Sequence, residues 1–260
     1  MIHLKAITFQ EKDHHYPYDL PFFDQKITFN KPLTILVGDN GCGKSTFLEL
    51  IKEELELYQI GKPIEKHPHV SCIKETTLKK PKGFYFSSED FTTYIKELED
   101  ELKSSKEELE HIDKTYSHRS PLAKSLAKMP HARTIHEISS LHDRPLNHAS
   151  HGEAYLSFFK SRMRDNQLIL LDEPETPLSF SNQLALLYIL KDTIDRGSQV
   201  IIATHSPIIM AFPDADIYLF TDDRLVSTHY DDLENVKTLK DFLNDPNRFL
   251  HHLFLDHDDH

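Results

Sequence analysis

Glycine is scarce in this chain, with 7 among 260 residues. Where a residue valued for close backbone approach and positive φ is so rare, its placement is informative. Cysteine is scarcer. Cys42 and Cys72 stand alone, which excludes a disulfide framework and points to a reducing compartment. No apolar run approaches the roughly 18–20 residues a bilayer span needs, so membrane insertion is not expected. The opening Met1–Phe9 reads as a strand and lacks the apolar core of a secretion signal, so the expected location is cytoplasmic. Positive charge is in deficit. The formal net charge is −12, which excludes a chain that coats nucleic acid through its overall charge. No repeat or disordered linker is apparent. The 18 histidines show no metal-ligand spacing, and the cluster His251, His252, His257 and His260 reads as a solvated tail.

Three of the few glycines fall in one run, Gly38-Asp39-Asn40-Gly41-Cys42-Gly43-Lys44-Ser45-Thr46. The apolar stretch Leu33–Val37 precedes it, and Phe47-Leu48-Glu49-Leu50-Ile51 follows it. Strand, glycine loop and helix start come in the order of a phosphate-binding P-loop, the Walker A motif. Backbone N–H groups in such a loop, together with the helix N-terminus, form an anion site.

Hydrophobic periodicity sets out the rest. Ile2–Phe9 and Ile27–Phe29 read as short strands, and Lys44–Ile60 as a helix with Phe47, Leu48, Ile51, Leu55 and Tyr58 at helical spacing. Val70–Ile73 and Gly83–Phe86 follow as strands. Ser88–Tyr116 is helical, either a short coiled coil or an amphipathic helix packed on the core. Ser120-Pro121 breaks that pattern and opens a loop-rich stretch to Asn147. A helix is predicted from about Ser150 to Met163, and another over Leu178–Ile194. Leu168–Leu171, Val200–Ala203 and Asp216–Phe220 read as buried strands, and Thr238–Leu255 as two short helices. Strands alternating with helices imply an α/β fold with a parallel sheet covered on both faces. The expected organisation is one domain over 1–260, with 57–147 as an inserted helical and irregular lobe.

Two strand ends carry the next chemistry. Leu168-Ile169-Leu170-Leu171 ends in Asp172-Glu173-Pro174, a Walker B pattern. Asp172 would emerge where α/β sheets bind ligands, and could hold Mg²⁺ through water, with Ser45 as direct ligand. Glu173 is then placed to polarise a water. Val200–Ala203 ends in Thr204-His205-Ser206-Pro207, and His205 there could donate to a terminal phosphate. Upstream, Ser150-His151-Gly152-Glu153 has capping-box spacing at a helix start.

In this order, P-loop, Ser-x-Gly-Glu, Asp-Glu-Pro and Thr-His, the chain resembles the ABC-type ATPases. It is similar to the soluble RecF and SMC branch, and more so to a group of small standalone bacterial AAA/ABC-like ATPases. Segments similar to that group include Tyr16–Pro21, Gly38–Thr46, Gly83–Ile95, Ser150–Glu153, Leu170–Ser179, Ala203–Pro207 and Asp241–Pro246. The resemblance implies a P-loop NTPase fold with a mixed or parallel sheet. It also implies that Gly38–Thr46 hold ATP, with Lys44 on the β- and γ-phosphates and Thr46 on the α-phosphate. Glu173, His205 and Lys44 would be catalytic, and Ser45, Asp172 and Glu89 would face Mg²⁺. Tyr16 or Tyr18 would stack near adenine or else pack into the core. Ser150, Gly152 and Glu153 would form the signature that caps the ATP of a second subunit, with Leu178-Ser179 crossing the interface. Cys42, His151 and Glu89 depart from the commoner residues of that pattern.

The expected activity is therefore ATP hydrolysis by a head-to-tail homodimer. Alternatives are the nucleotide-binding subunit of an ABC transporter, and a low-turnover nucleotide-binding interaction protein. The acid-free, basic stretch Lys114–His136 reads either as a contact for an acidic partner, DNA or RNA among them, or as a solvated loop.

Overall fold

The computed structural model of the chain describes residues 1–10, 15–61, 67, 70–140 and 151–255. The strands are β1 (Leu4–Phe9), β2 (Ile27–Thr28), β3 (Leu33–Val37), β4 (Tyr58–Gln59), β5 (Cys72–Thr76), β6 (Gly83–Ser87), β7 (Leu168–Asp172), β8 (Gln199–Ala203), β9 (Asp216–Phe220) and β10 (Leu225–Thr228). The helices are α1 (Lys44–Glu54), α2 (Ser88–Thr115), α3 (Pro121–Ser140), α4 (His151–Arg162), α5 (Phe180–Asp195), α6 (Pro207–Met210), α7 (Glu234–Asn244) and α8 (Pro246–Leu255).

Among the described residues the strands form two sheets. The larger is seven-stranded, in the order β10-β9-β3-β8-β7-β6-β4, and is parallel except for the β9–β10 hairpin. The smaller is antiparallel, in the order β2-β1-β5. Successive side chains of a strand leave on opposite faces, so each central strand feeds two cores. Ile35, Ile169 and Ile202 join one core with Tyr155, Phe158 and Phe159 of α4 and Leu186, Ile189 and Leu190 of α5. Leu36, Leu170 and Ile201 join the other, with Phe47, Leu48 and Ile51 of α1 and Leu4, Ile7 and Phe9 of the small sheet. Strands β3, β7 and β8 are buried along their whole length, which explains their unbroken apolar sequences. Among the described residues no helix is long and apolar enough to cross a membrane.

Two segments differ from the sequence expectation. The helix beginning at Lys44 ends at Glu54, not Ile60, because Glu56 takes a positive φ of 52° and Leu57 turns back to donate to the Lys52 carbonyl. The chain then runs on as edge strand β4, paired with β6. Residues 121–140 form helix α3 where a loop was expected. Pro121 sits in its first turn, where no N–H is needed, and the Ser120 hydroxyl accepts from the Ala123 N–H. Long helix α2 packs against α3, so it forms one arm of a helical hairpin. Within the span 57–147, strands β4 and β6 belong to the main sheet, β5 belongs to the small one, and α2 and α3 lie outside both. Residues 141–150, including Asn147 and Ser150, lie outside the described residues.

Candidate functional site

Strand β3 delivers the glycine loop to the C-terminal edge of the sheet. Gly43 caps α1 in the left-handed region at φ 98°, and its carbonyl accepts from the Phe47 N–H at 2.9 Å. At Gly38 a β-carbon would come within 2.9 Å of the Phe220 β-carbon on β9, so the loop is laid directly on the neighbouring strand end. Lys44 is buried, and its ammonium donates to the carbonyls of Gly38 and Asp39, both at 2.9 Å. The Cys42 sulfur lies 3.8 Å from the same nitrogen. A cavity of about 470 Å³ opens over the loop, lined by Asn40, Gly41, Gly43, Lys44, Ser45 and Thr46, with Tyr16, Leu20, Glu89 and Glu173 around them. Tyr16 is well exposed at this cavity, and its hydroxyl pairs with the Thr46 hydroxyl at 3.0 Å. Tyr18 instead packs against the core beside Phe23. The two tyrosines left open by sequence thus separate, with Tyr16 at the cavity.

A second cavity of about 310 Å³ adjoins the first and shares Ser45, Glu89 and Glu173 with it. Its other walls are Glu49, Tyr85, Ser87, Ser88 and Asp172. The Asp172 carboxyl is buried at the end of β7. Oδ2 accepts from the Tyr85 hydroxyl at 3.3 Å, while buried Oδ1 has no hydrogen-bond partner. Burial pushes this carboxyl up to about 7; Glu173 and Glu49 add to the rise, and hydrogen bonds from Ser45 and Tyr85 oppose it. Glu49 is itself occupied, with His67 Nε2 2.6 Å from its Oε2. That bond raises the His67 pKa. An orphaned carboxylate oxygen next to a hydroxyl suits a hard divalent cation such as Mg²⁺, which binds one or two carboxylates and completes its shell with phosphate and water.

Glu173 follows on a strained turn, at φ 46°, with its N–H bonded to the Ala203 carbonyl at 2.9 Å. Its carboxylate lies 3.5 Å from His205 Nε2, and both side chains are partly exposed. The His205 loop leaves β8 with the Thr204 N–H on the Leu36 carbonyl. The structure therefore brings the P-loop, Asp172, Glu173, His205 and Glu89 to one edge of the sheet.

Gly152 is elsewhere. It is buried in the first turn of α4, where a β-carbon would come within 2.1 Å of the Asn182 amide on α5. It lines neither cavity. Glu153 lies in the same turn, and Ser150 is outside the described residues. Ser179 is the N-cap of α5, accepting from the Asn182 N–H.

Sequence reasoning missed Tyr85, Glu49 and Glu175. Tyr85 and Glu49 look like ordinary strand and helix residues until β6, α1 and β7 are placed side by side. Glu175 is the third acid in the run Asp172-Glu173-Pro174-Glu175. The unusual density of acids after an apolar strand was the available signal for it.

The chain matches the family described as "AAA domain, putative AbiEii toxin, Type IV TA system" over residues 54–211, well over half its length. A second family, described as "AAA domain", matches residues 20–53. No curated protein matches the sequence. Among solved structures, an ATP-binding cassette of an ABC transporter in its ADP conformation is 18% identical with a TM-score of 0.52, covering 95% of this chain and 96% of that one. A nucleotide-free ATP-binding cassette from an ABC transporter is 18% identical with a TM-score of 0.51 and the same coverage. The Smc head domain of Pyrococcus furiosus, bound to the C-terminal domain of ScpA, is 14% identical with a TM-score of 0.48, covering 94% of this chain and all of that one. At these identities the cassette structures establish the fold, a P-loop α/β domain of ABC-ATPase type.

Proposed function

This chain belongs to the AAA domain family, and we propose that it hydrolyses ATP to ADP and phosphate as a head-to-tail pair of identical subunits. The observation that carries the reading is the position of Glu173. It lines both the P-loop cavity and the adjoining acidic cavity, and its carboxylate sits 3.5 Å from His205.

The chain's own groups divide the work. The loop N–H groups and the α1 N-terminus hold the phosphates. Lys44 exchanges its carbonyl partners on Gly38 and Asp39 for the β- and γ-phosphate oxygens. Thr46 holds the α-phosphate, and Tyr16 offers a ring face for the base. Glu173 accepts a proton from the attacking water, and His205 donates to the γ-phosphate. Ser45 and Asp172 would hold Mg²⁺, which when bound supplies charge neutralisation to the β- and γ-phosphates, while Glu89 faces it across the cavity. Each chain has one P-loop and one Ser-x-Gly-Glu segment, and Gly152 lines neither cavity of its own subunit. This favours a site completed by a second copy, whose Ser150, Gly152, Glu153 and α4 N-terminus approach the γ-phosphate.

Glu173→Gln tests the reading. With ATP and Mg²⁺ it should elute from gel filtration as a stable dimer and release no phosphate; a monomer under these conditions contradicts the paired site.

We read the pair as an ATP-dependent switch, closed by ATP and opened by hydrolysis, that acts on a protein partner. Lys124 and Lys128 of α3 turn inward to Asp113 of α2, at 2.7 and 2.6 Å, while Leu122, Leu126 and Met129 face solvent. The basic stretch thus presents apolar side chains outward, with part of its charge already paired. A titration with duplex DNA should show only weak, salt-sensitive binding, unchanged by Lys124→Glu with Lys128→Glu. Tight binding lost in that variant would favour nucleic acid instead.

A further inference from the structure

We infer that Glu175 is a positioning residue that sets the distance between Glu173 and His205, and that it does so by holding the backbone of the loop that carries His205. The inference rests on the proposed hydrolytic reading of the site.

Glu175 follows Glu173 on the same turn, but its side chain points the other way, into the protein. Its carboxylate is buried and lines neither cavity, so it would not touch a nucleotide held there. One oxygen, Oε1, accepts three hydrogen bonds from three consecutive residues: the Thr204 hydroxyl at 2.6 Å, the His205 N–H at 2.8 Å and the Ser206 N–H at 3.1 Å. Charged acceptors make the stronger hydrogen bonds, and three convergent donors leave a loop little freedom. The Ser206 hydroxyl in turn donates to Gln183 Oε1 at 2.6 Å, and the Gln183 amide donates to the Leu178 carbonyl at 3.2 Å. Bonds to the Walker B turn on one side and to α5 on the other therefore fix the loop.

The geometry gives this a catalytic consequence. Glu173 is anchored to the end of β8 through its own N–H, on the Ala203 carbonyl. His205 is anchored to the Walker B turn through Glu175. The backbone of each facing residue is thus tied to the other's strand, which sets the two side chains 3.5 Å apart from anchored positions. Removing the Glu175 acceptor releases one end. His205 then drifts relative to Glu173, while the P-loop, which Glu175 does not touch, keeps its grip on the phosphates. A displacement near 1 Å at a reacting centre costs about 10²-fold in rate.

The test compares steady-state ATP hydrolysis, fluorescent-ATP affinity and melting temperature in the full chain and its variants. Glu175→Gln keeps an oxygen where Oε1 accepts, and places its amide where Oε2 has no hydrogen-bond partner. It should hold kcat close to wild type. Glu175→Leu removes the acceptor at similar volume. It should lower kcat by roughly 10²-fold with ATP affinity unchanged. The same loss should vanish in a His205→Ala background, because the residue acts through His205. Thr204→Val removes one of the three donors and should give an intermediate fall in kcat; it decides the matter if Glu175→Leu does not fold. Wild-type kcat in Glu175→Leu, or in Thr204→Val when that variant decides, overturns the inference. So does an equal loss in Glu175→Gln and Glu175→Leu, or a loss that persists undiminished without His205. A wild-type chain that turns over no faster than Lys44→Ala overturns the hydrolytic reading and this inference with it.

Discussion

Asp172 shows what a carboxyl costs when it is buried for use. In the fold it titrates at about 7, against an ordinary value of 3.8, because burial penalises its charge. Between those two values the folded chain holds a proton that the unfolded chain releases. This group's contribution to stability therefore falls as pH rises from about 4 to about 7. Asp172→Asn removes the burden, and should melt several degrees above wild type at pH 8 in the absence of nucleotide. The advantage should shrink towards pH 4; calorimetric scans at the two pH values check both halves, and identical melts at pH 8 would contradict the assignment. At this scale the sequence is readable where a motif encodes a role in the backbone itself, as at Gly43, Lys44 and the Asp172–Glu173 pair. It is silent where a role depends on which side chains meet across strands. Tyr85 and Asp172 are far apart in the chain, and so are Glu175 and Thr204. Only the pairing of β6, β7 and β8 brings them together.

At the scale of elements, the buried central strands were legible, while the edge strands β4 and β10 and the helix ends were not. Strands β3, β7 and β8 are apolar throughout because both faces are covered, and such runs have few alternative readings. The end of α1 depends on a single residue, Glu56, in the left-handed region, which helical periodicity does not register. Helix α3 was hidden by two prolines that read as breakers: Pro121, which in a first turn starts a helix, and Pro130, which the helix carries inside it. Strand β6 offers a sharp test of pairing. A β-carbon on Gly83 would lie 1.7 Å from the Leu168 carbonyl oxygen, a backbone atom with no freedom to move aside. Gly83→Ala should therefore destabilise the chain by about 1–3 kcal/mol or more, read from urea unfolding. An unchanged midpoint would mean that β6 does not pair with β7 at this register.

For the molecule as a whole, the alternation of strands and helices foretold a covered parallel sheet, but not the strand order or the β9–β10 hairpin. The order depends on long-range pairing, which one sequence does not display. Nucleotide should act on the entire fold by mass action. At 100 times its dissociation constant, ATP with Mg²⁺ adds about 2.7 kcal/mol, or roughly 5–10 °C in melting temperature, and Lys44→Ala should abolish the shift. A full shift retained in that variant would place the nucleotide elsewhere. The strand order also bears on how the chain is made. The first strand is fastened by a side chain of β8, a central strand of the other sheet: the Gln199 carboxamide accepts from the Leu4 N–H across 195 positions of sequence. β3 likewise waits for β8 and β9 before either of its edges is paired. At typical synthesis rates the glycine loop and its flanking strand spend roughly 10–40 seconds outside the ribosome as unpaired apolar edges. For a nascent chain of this topology, that interval is the period of greatest exposure to chaperones and to aggregation.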